Sequence, residues 1–144
     1  MIDFNEFNRG VVDEFRANGG EVGGRFEGIP MVLVNHRGAK TGNPYTTPLV
    51  YTRDGDNYVI IASKAGAPEH PQWFHNLVAQ PEITIEVGRD TIPVRARVTE
   101  GDERARLYRA QAGVMANFAD YANKTTREIP VVVLEPLGWA VTGP

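Results

Sequence analysis

Six short runs rich in β-branched and aromatic residues (31–34, 47–53, 58–62, 83–87, 91–98 and 129–135) leave this chain few folds to choose from. Two of the links between them are hairpin-sized, Asp54-Gly55-Asp56-Asn57 and Gly88-Arg89-Asp90. Parallel pairs need a long crossover, usually a helix, and repeated strand–helix alternation does not occur here. A doubly wound parallel sheet is therefore disfavoured. The pattern predicts an α+β fold, a small barrel of about six mostly antiparallel strands with helices flanking it. At 144 residues the chain suits a single domain spanning 1–144.

Helical signals sit between the strand runs. Phe4, Phe7, Val11 and Phe15 recur at spacings of three and four, which predicts an N-terminal helix within 1–18. Five glycines between positions 19 and 28 make 19–30 a glycine-rich connection. Pro71 suits a first helical turn, and Trp73/Leu77 and Phe74/Val78 are i,i+4 pairs. Thr99-Glu100-Gly101-Asp102 has capping-box spacing ahead of a helix to about Gln111, and a further helical segment is expected over 114–122. The polar face of the first helix carries Asp3, Glu6, Asp13 and Glu14. Membrane-surface helices usually carry a basic face, so packing on the barrel is expected, with peripheral membrane contact as the alternative.

Composition removes several kinds of chemistry. There is no cysteine, so disulfides, thiolate metal sites and cysteine nucleophiles are absent. His36, His70 and His75 have no carboxylate at ligand spacing, which argues against a metal site and for surface or loop histidines. Ser63 is the only serine and stands in no Gly-x-Ser-x-Gly elbow, so serine-hydrolase chemistry has no support. A net charge of −3 gives no field favouring nucleic acid. No apolar run approaches the roughly 20 residues of a membrane-spanning helix, and a cytoplasmic protein is the expectation. A chain so poor in nucleophiles and metal ligands points to borrowed cofactor chemistry.

Two loops carry the features such a cofactor would need. Arg37-Gly38-Ala39-Lys40-Thr41-Gly42-Asn43-Pro44 lies between two strands, and its glycines, Lys40 and Thr41 could hold anionic oxygens. Spacing alone allows an exposed hairpin turn equally well. Ala62-Ser63-Lys64 follows a buried strand and offers a hydroxyl and a cation, or else a solvated loop. Of Trp73 and Phe74, one is expected in the core and the other free to stack on a flat ring.

Taken in order, Arg37 to Pro44, Pro48-Leu49, Arg53-Asp54-Gly55, Ala62-Ser63-Lys64 and Pro71-Gln72-Trp73-Phe74-His75-Asn76-Leu77 resemble the deazaflavin-dependent nitroreductase family of actinobacteria. The closing run from Thr126 to Val133 is similar to that family's last strand. The resemblance implies a split β-barrel of the flavin-reductase and FMN-binding type, using coenzyme F-420, an 8-hydroxy-5-deazaflavin. It places the coenzyme's phosphate at Ala39, Lys40 and Thr41. Its deazaflavin contacts carry over to Tyr45, Thr46, Pro48, Leu49, Val50, Ile61, Ala62, Ser63, Lys64, Gln72, Trp73, Phe74 and Asn76. Reduced F-420 would pass hydride to an electron-poor acceptor, a quinone or an activated nitro or enone compound. Ser63 or Tyr121 is expected to meet the developing anion, with Trp73 and Phe118 shaping the pocket. Where nitro-reducing members carry tyrosines on the late helix, this chain has Met115 and Phe118, which favours a quinone. The rivals are the same barrel with FMN and a non-catalytic deazaflavin-binding protein; the sequence leaves the oligomeric state open.

Overall fold

The stretch from Pro44 to Asp54 shapes the molecule. In the computed structural model it forms two strands, β2 (Pro44–Val50) and β3 (Thr52–Asp54), which run the same way and are separated only by Tyr51. The first pairs with β1 (Met31–Arg37) and the second with β4 (Asn57–Ile61), both antiparallel. The remaining strands are β5 (Glu82–Val87), β6 (Asp90–Val98) and β7 (Val131–Pro136). Hydrogen bonding orders them β2-β1-β5-β6-β7-β4-β3, every pair antiparallel. The two edges of this seven-stranded sheet are halves of one bent strand, so the circuit closes through the chain at Tyr51. The expected run 47–53 is thus real but starts earlier and changes partner midway, which turns six predicted strands into seven. Residues 4–23, 28–63, 69–115, 118, 121, 125 and 127–138 are described, without the side chains of 4–7 and 114.

Above Tyr51, β2 and β4 share no hydrogen bonds, and this divergence splits the barrel. Helix α2 (Gln72–Ala79) fills the interior behind the split. Its Trp73 and Leu77 join Val32, Val34, Ile60, Ala62, Ile85, Val94, Val132 and Leu134 in the main core. The alternation of β4 and β7 sends Val59, Ile61, Val131 and Val133 the other way. There α3 (Gly101–Val114) covers them with Leu107 and Tyr108, and Phe118 completes the cluster. Helix α1 (Phe4–Ala17) covers β1 from outside, packing Val11, Val12 and Phe15 with Val22, Met31 and Leu33. That contact uses the described part of its apolar face on the barrel. Among the described residues no helix is long and apolar enough to cross a membrane.

One expectation at α3 fails. The N-cap position falls on Glu100, one residue after Thr99, with no side-chain cap bond, and the Thr99 hydroxyl, 3% exposed, donates instead to the Val131 carbonyl at 2.9 Å. A buried hydroxyl gains more by joining β6 to β7 than by capping an exposed helix end. Gly101, with φ +59, supplies the turn instead, and Asp102 and Glu103 complement the dipole of the first turn. The segment expected over 114–122 is described only in part. Helix α3 ends at Met115, whose backbone is extended, and helical backbone reappears at Phe118 and Tyr121.

Candidate functional site

The antiparallel order puts the end of β1, the start of β2 and the end of β4 at one end of the barrel. The 38–43 turn and Ala62-Ser63 therefore flank the same split. Lys64 lies outside the described residues, so only one of the two expected loop cations is located.

The turn is rigid and largely spoken for. Gly38 N–H donates to the Asn43 carbonyl and Gly42 N–H to the Gly38 carbonyl, both at 2.9 Å, while Asn43 N–H donates to Thr41 Oγ1 at 3.2 Å. A Cβ at Gly38 would lie 2.6 Å from Thr41 Oγ1, and Gly42 has φ +73, so both glycines are required by the turn. Among the described residues the N–H groups of Lys40 and Thr41 have no partner, nor does the exposed Lys40 ammonium. Thr41 Oγ1 accepts internally, which leaves its proton to donate outward. Two amides, a hydroxyl proton and an ammonium at a tight turn make an anion cradle.

Behind the turn stands Asn76 of α2, 1% exposed. Its Oδ1 accepts from Ala39 N–H at 2.9 Å and from Gln72 Nε2 at 3.1 Å, and its Nδ2 donates to His36 Nδ1 at 3.0 Å. The Ala39 contact fixes the amide orientation, and that fixes the histidine: Nδ1 accepts, so Nε2 carries the hydrogen and donates to Thr47 Oγ1 at 2.9 Å. His36 is 5% exposed, not the surface histidine expected. Burial pushes its pKa down to about 4. The signal was available: Val32, Val34 and His36 share one face by strand alternation. Tyr45, 48% exposed, stacks on this ring with centroids 5.7 Å apart. Asn76 was expected at the deazaflavin, and Ala39 at the phosphate. The structure makes the first a buried pin for the second.

Across the split, Arg127 holds the end of β4. It donates to the Ala62 carbonyl at 3.2 Å, the Ser63 carbonyl at 2.8 Å and His70 Nδ1 at 2.9 Å. Desolvation, then Arg127, then His75 lower the pKa of His70, which favours the neutral acceptor the guanidinium needs. Arg127 sat in a recognised run with no role assigned, because nothing in sequence joins it to positions 62–63. His70 also packs on Phe74 at 5.0 Å. Trp73, 7% exposed, is the core member of the aromatic pair, and the half-buried Phe74 is the one left able to meet a ring.

The remaining predicted residues divide by strand alternation. Leu49 joins the interior core, while Pro48 and Val50 pair with Leu33 and Met31 on the α1 side. Thr46 lies on that outer side too, its hydroxyl donating to Asn35 Oδ1 at 2.7 Å. With Tyr45, Asn35, Thr84 and Pro93 it lines a cleft of about 780 Å³. Ile61 belongs to the α3 side with Phe118, and Tyr121 meets Phe118 edge-on at 5.4 Å. No group of three or more metal-ligating side chains occurs among the described residues.

A split barrel with uncommitted donors on the 38–43 turn and aromatic side chains beside it is compatible with a cofactor-using oxidoreductase. Residues 7–136 match the family of F420H(2)-dependent quinone reductases, and the chain belongs to it. An F420H(2)-dependent quinone reductase of Mycobacterium tuberculosis is 44% identical over 124 residues, covering 83% of each chain. A solved F420-H2 dependent reductase superposes with TM-score 0.69 at 36% identity, over 74% of this chain and 94% of its own. A solved domain-swapped dimer gives TM-score 0.71 at 32% identity, over 92% and 98%. The protein is an F-420-dependent oxidoreductase.

Proposed function

We propose that F-420 lies along the split, its phosphate at the 38–43 turn and its ring between Tyr45 and the Ala62-Ser63 end of β4, with a quinone taken up beside Ser63 and Tyr121. The observation that carries this reading is the set of uncommitted donors on the turn, facing the same split as Ser63. When bound, the coenzyme supplies a hydride from carbon. The residues of the chain do the rest. The amides of Lys40 and Thr41 and the Lys40 ammonium anchor the anionic part. Asn76 holds Ala39 in place, so the anchor is built before the ligand arrives. Arg127 fixes the Ser63 backbone, which lets the Ser63 hydroxyl serve as a directed donor to the acceptor oxygen as negative charge develops there. Phe74 and Leu49 on the interior side and Ile61 and Phe118 on the α3 side supply apolar surface that excludes water from either side of the end of β4. A cytoplasmic site of action fits a reaction that draws on a soluble reduced coenzyme.

The test is a side-by-side titration of the purified protein with F-420 and FMN, followed by turnover of menadione with reduced F-420. Tighter binding of F-420 by at least roughly tenfold, about 1.4 kcal/mol, is expected, because a long anionic tail can use the exposed cation of the turn. Equal affinities would favour the FMN reading, and binding without turnover of any quinone would favour a storage role.

Lys40→Ala should weaken F-420 binding by about 1–3 kcal/mol, the cost of a lost charge-assisted hydrogen bond. The melting temperature should stay put, since the side chain is exposed and bonds nothing among the described residues. An unchanged dissociation constant with an unchanged salt dependence would remove Lys40 from the site.

A further inference from the structure

Gln111 is the one buried polar side chain among the described residues whose hydrogen-bonding atoms all lack partners. It is 0% exposed, and neither Nε2 nor Oε1 has a partner. Buried amides are almost always matched, so an unmatched one calls for an explanation. Its place in the fold supplies one. Leu107, Tyr108 and Gln111 lie at i, i+1 and i+4, on the face of α3 turned to the outer side of β4 and β7. Gln111 belongs to the last turn, its carbonyl accepting Met115 N–H at 2.9 Å just where the helix stops. Phe118 N–H bonds to the Met115 carbonyl at 3.1 Å, and the Tyr108 hydroxyl donates to the Phe118 carbonyl. Gln111 thus shares a helix face with Leu107 and Tyr108, whose apolar and aromatic cluster also holds Ile61, Met115, Phe118 and Tyr121.

We propose that Gln111 is a second hydrogen-bonding residue of the quinone subsite, besides Ser63, a reading that rests on the proposed function above. The chemistry of a primary amide suits this acceptor. A quinone offers only carbonyl oxygens, which accept from Nε2. Hydride and one proton convert it to a hydroquinone, whose hydroxyl donates to Oε1. One neutral side chain thus matches substrate and product, loses neither of its hydrogens and adds no charge to an apolar pocket. Tyr108, Phe118 and Tyr121 of the cluster on the same side supply flat walls of the kind a quinone needs. Met115, unbranched and partly exposed beside the cluster, is the side chain best able to make room.

The test uses Gln111→Leu, an apolar near-isostere. Removing an unmatched buried amide should raise the melting temperature, since the folded protein no longer buries polar atoms without partners. Affinity for F-420 should stay within twofold, because α3 lies away from the 38–43 turn. The kcat/KM for menadione should fall at least tenfold, mainly through KM. A raised melting temperature with menadione kinetics within twofold would overturn the proposal and leave Gln111 as imperfect packing. Wild-type protein that fails to bind F-420 at all would overturn the site reading beneath it, a result separable from the first. A second measurement needs no variant. Gln72, Gln80 and Gln111 are the only glutamines, so their side-chain amide resonances can be resolved while menadione is titrated into ¹⁵N-labelled protein. The Gln111 pair should shift and saturate. Resonances unmoved by menadione would also overturn the proposal.

Discussion

Asn76→Ala should cost the protein about 3 kcal/mol of stability and about a hundredfold in F-420 affinity, roughly 2.7 kcal/mol. The variant removes three hydrogen bonds at once, leaves His36 Nδ1 buried without a partner and unties the N–H of the exposed Ala39. Unmatched buried groups cost more than the average bond contributes, which puts the stability loss at the high end for a single substitution. The loss of affinity has a separate origin. The unpartnered amides of Lys40 and Thr41 follow directly after Ala39, so untying Ala39 from α2 lets the turn drift. Part of the binding free energy must then order it again. Urea denaturation measures the first effect and an F-420 titration at saturating fold stability the second. Lost stability with unchanged affinity would show that the pin serves only the fold.

This pin marks the boundary between what could be read in the sequence and what could not. Local patterns reported faithfully: the hairpin at Asp54 to Asn57, the strand over 83–87 and the Pro71 helix all form within a residue or two of their expected places. Information that depends on two distant segments was illegible. His36, Asn76 and Ala39 meet only because α2 plugs the split, with Asn76 lying 40 residues along the chain from His36 and 37 from Ala39 in the turn it supports. Arg127 reaches the Ala62 and Ser63 carbonyls from 65 and 64 residues away. The Thr99 capping box failed for the same reason, since the competing acceptor, the Val131 carbonyl, is 32 residues off. The bend at Tyr51 was hidden in another way. Strand propensity runs evenly through 47–53, and only the change of partner, with Tyr51 N–H turning to the Pro30 carbonyl at 3.2 Å, breaks it. The resemblance to a deazaflavin family supplied candidate residues, and the structure divides them among the 38–43 turn, the buried Asn76 and apolar side chains on both sides of β4.

Acid should weaken the fold earlier than its carboxylates alone would dictate. His36 is buried neutral, with a pKa near 4 against 6.5 for the free side chain. Between those values the unfolded chain takes up a proton that the folded one refuses, so stability falls as pH falls through the window. The contribution is fully present above about pH 6.5 and is lost on the way down to about pH 4. A shift of this size corresponds to about 3 kcal/mol, reduced to about 2 once residual solvent screening is allowed for. His70, lowered by desolvation and by Arg127, adds a smaller loss of the same sign over the upper part of the window. Glu86, held low by Arg16, and Asp54, held low by Arg106, act below the ordinary carboxylate range and so mark a second, more acidic fall. His36→Gln separates the two. Glutamine can meet Thr47 and Asn76 without titrating, so from pH 7 to about pH 5 the variant should lose only the smaller His70 contribution while the wild type declines more steeply. F-420 affinity should follow the same curve in the wild type, because a protonated His36 would face the Asn76 Nδ2 donor with a second donor and break the support of the turn. Parallel denaturation midpoints for the two proteins across that range would show that the buried histidine carries neither effect.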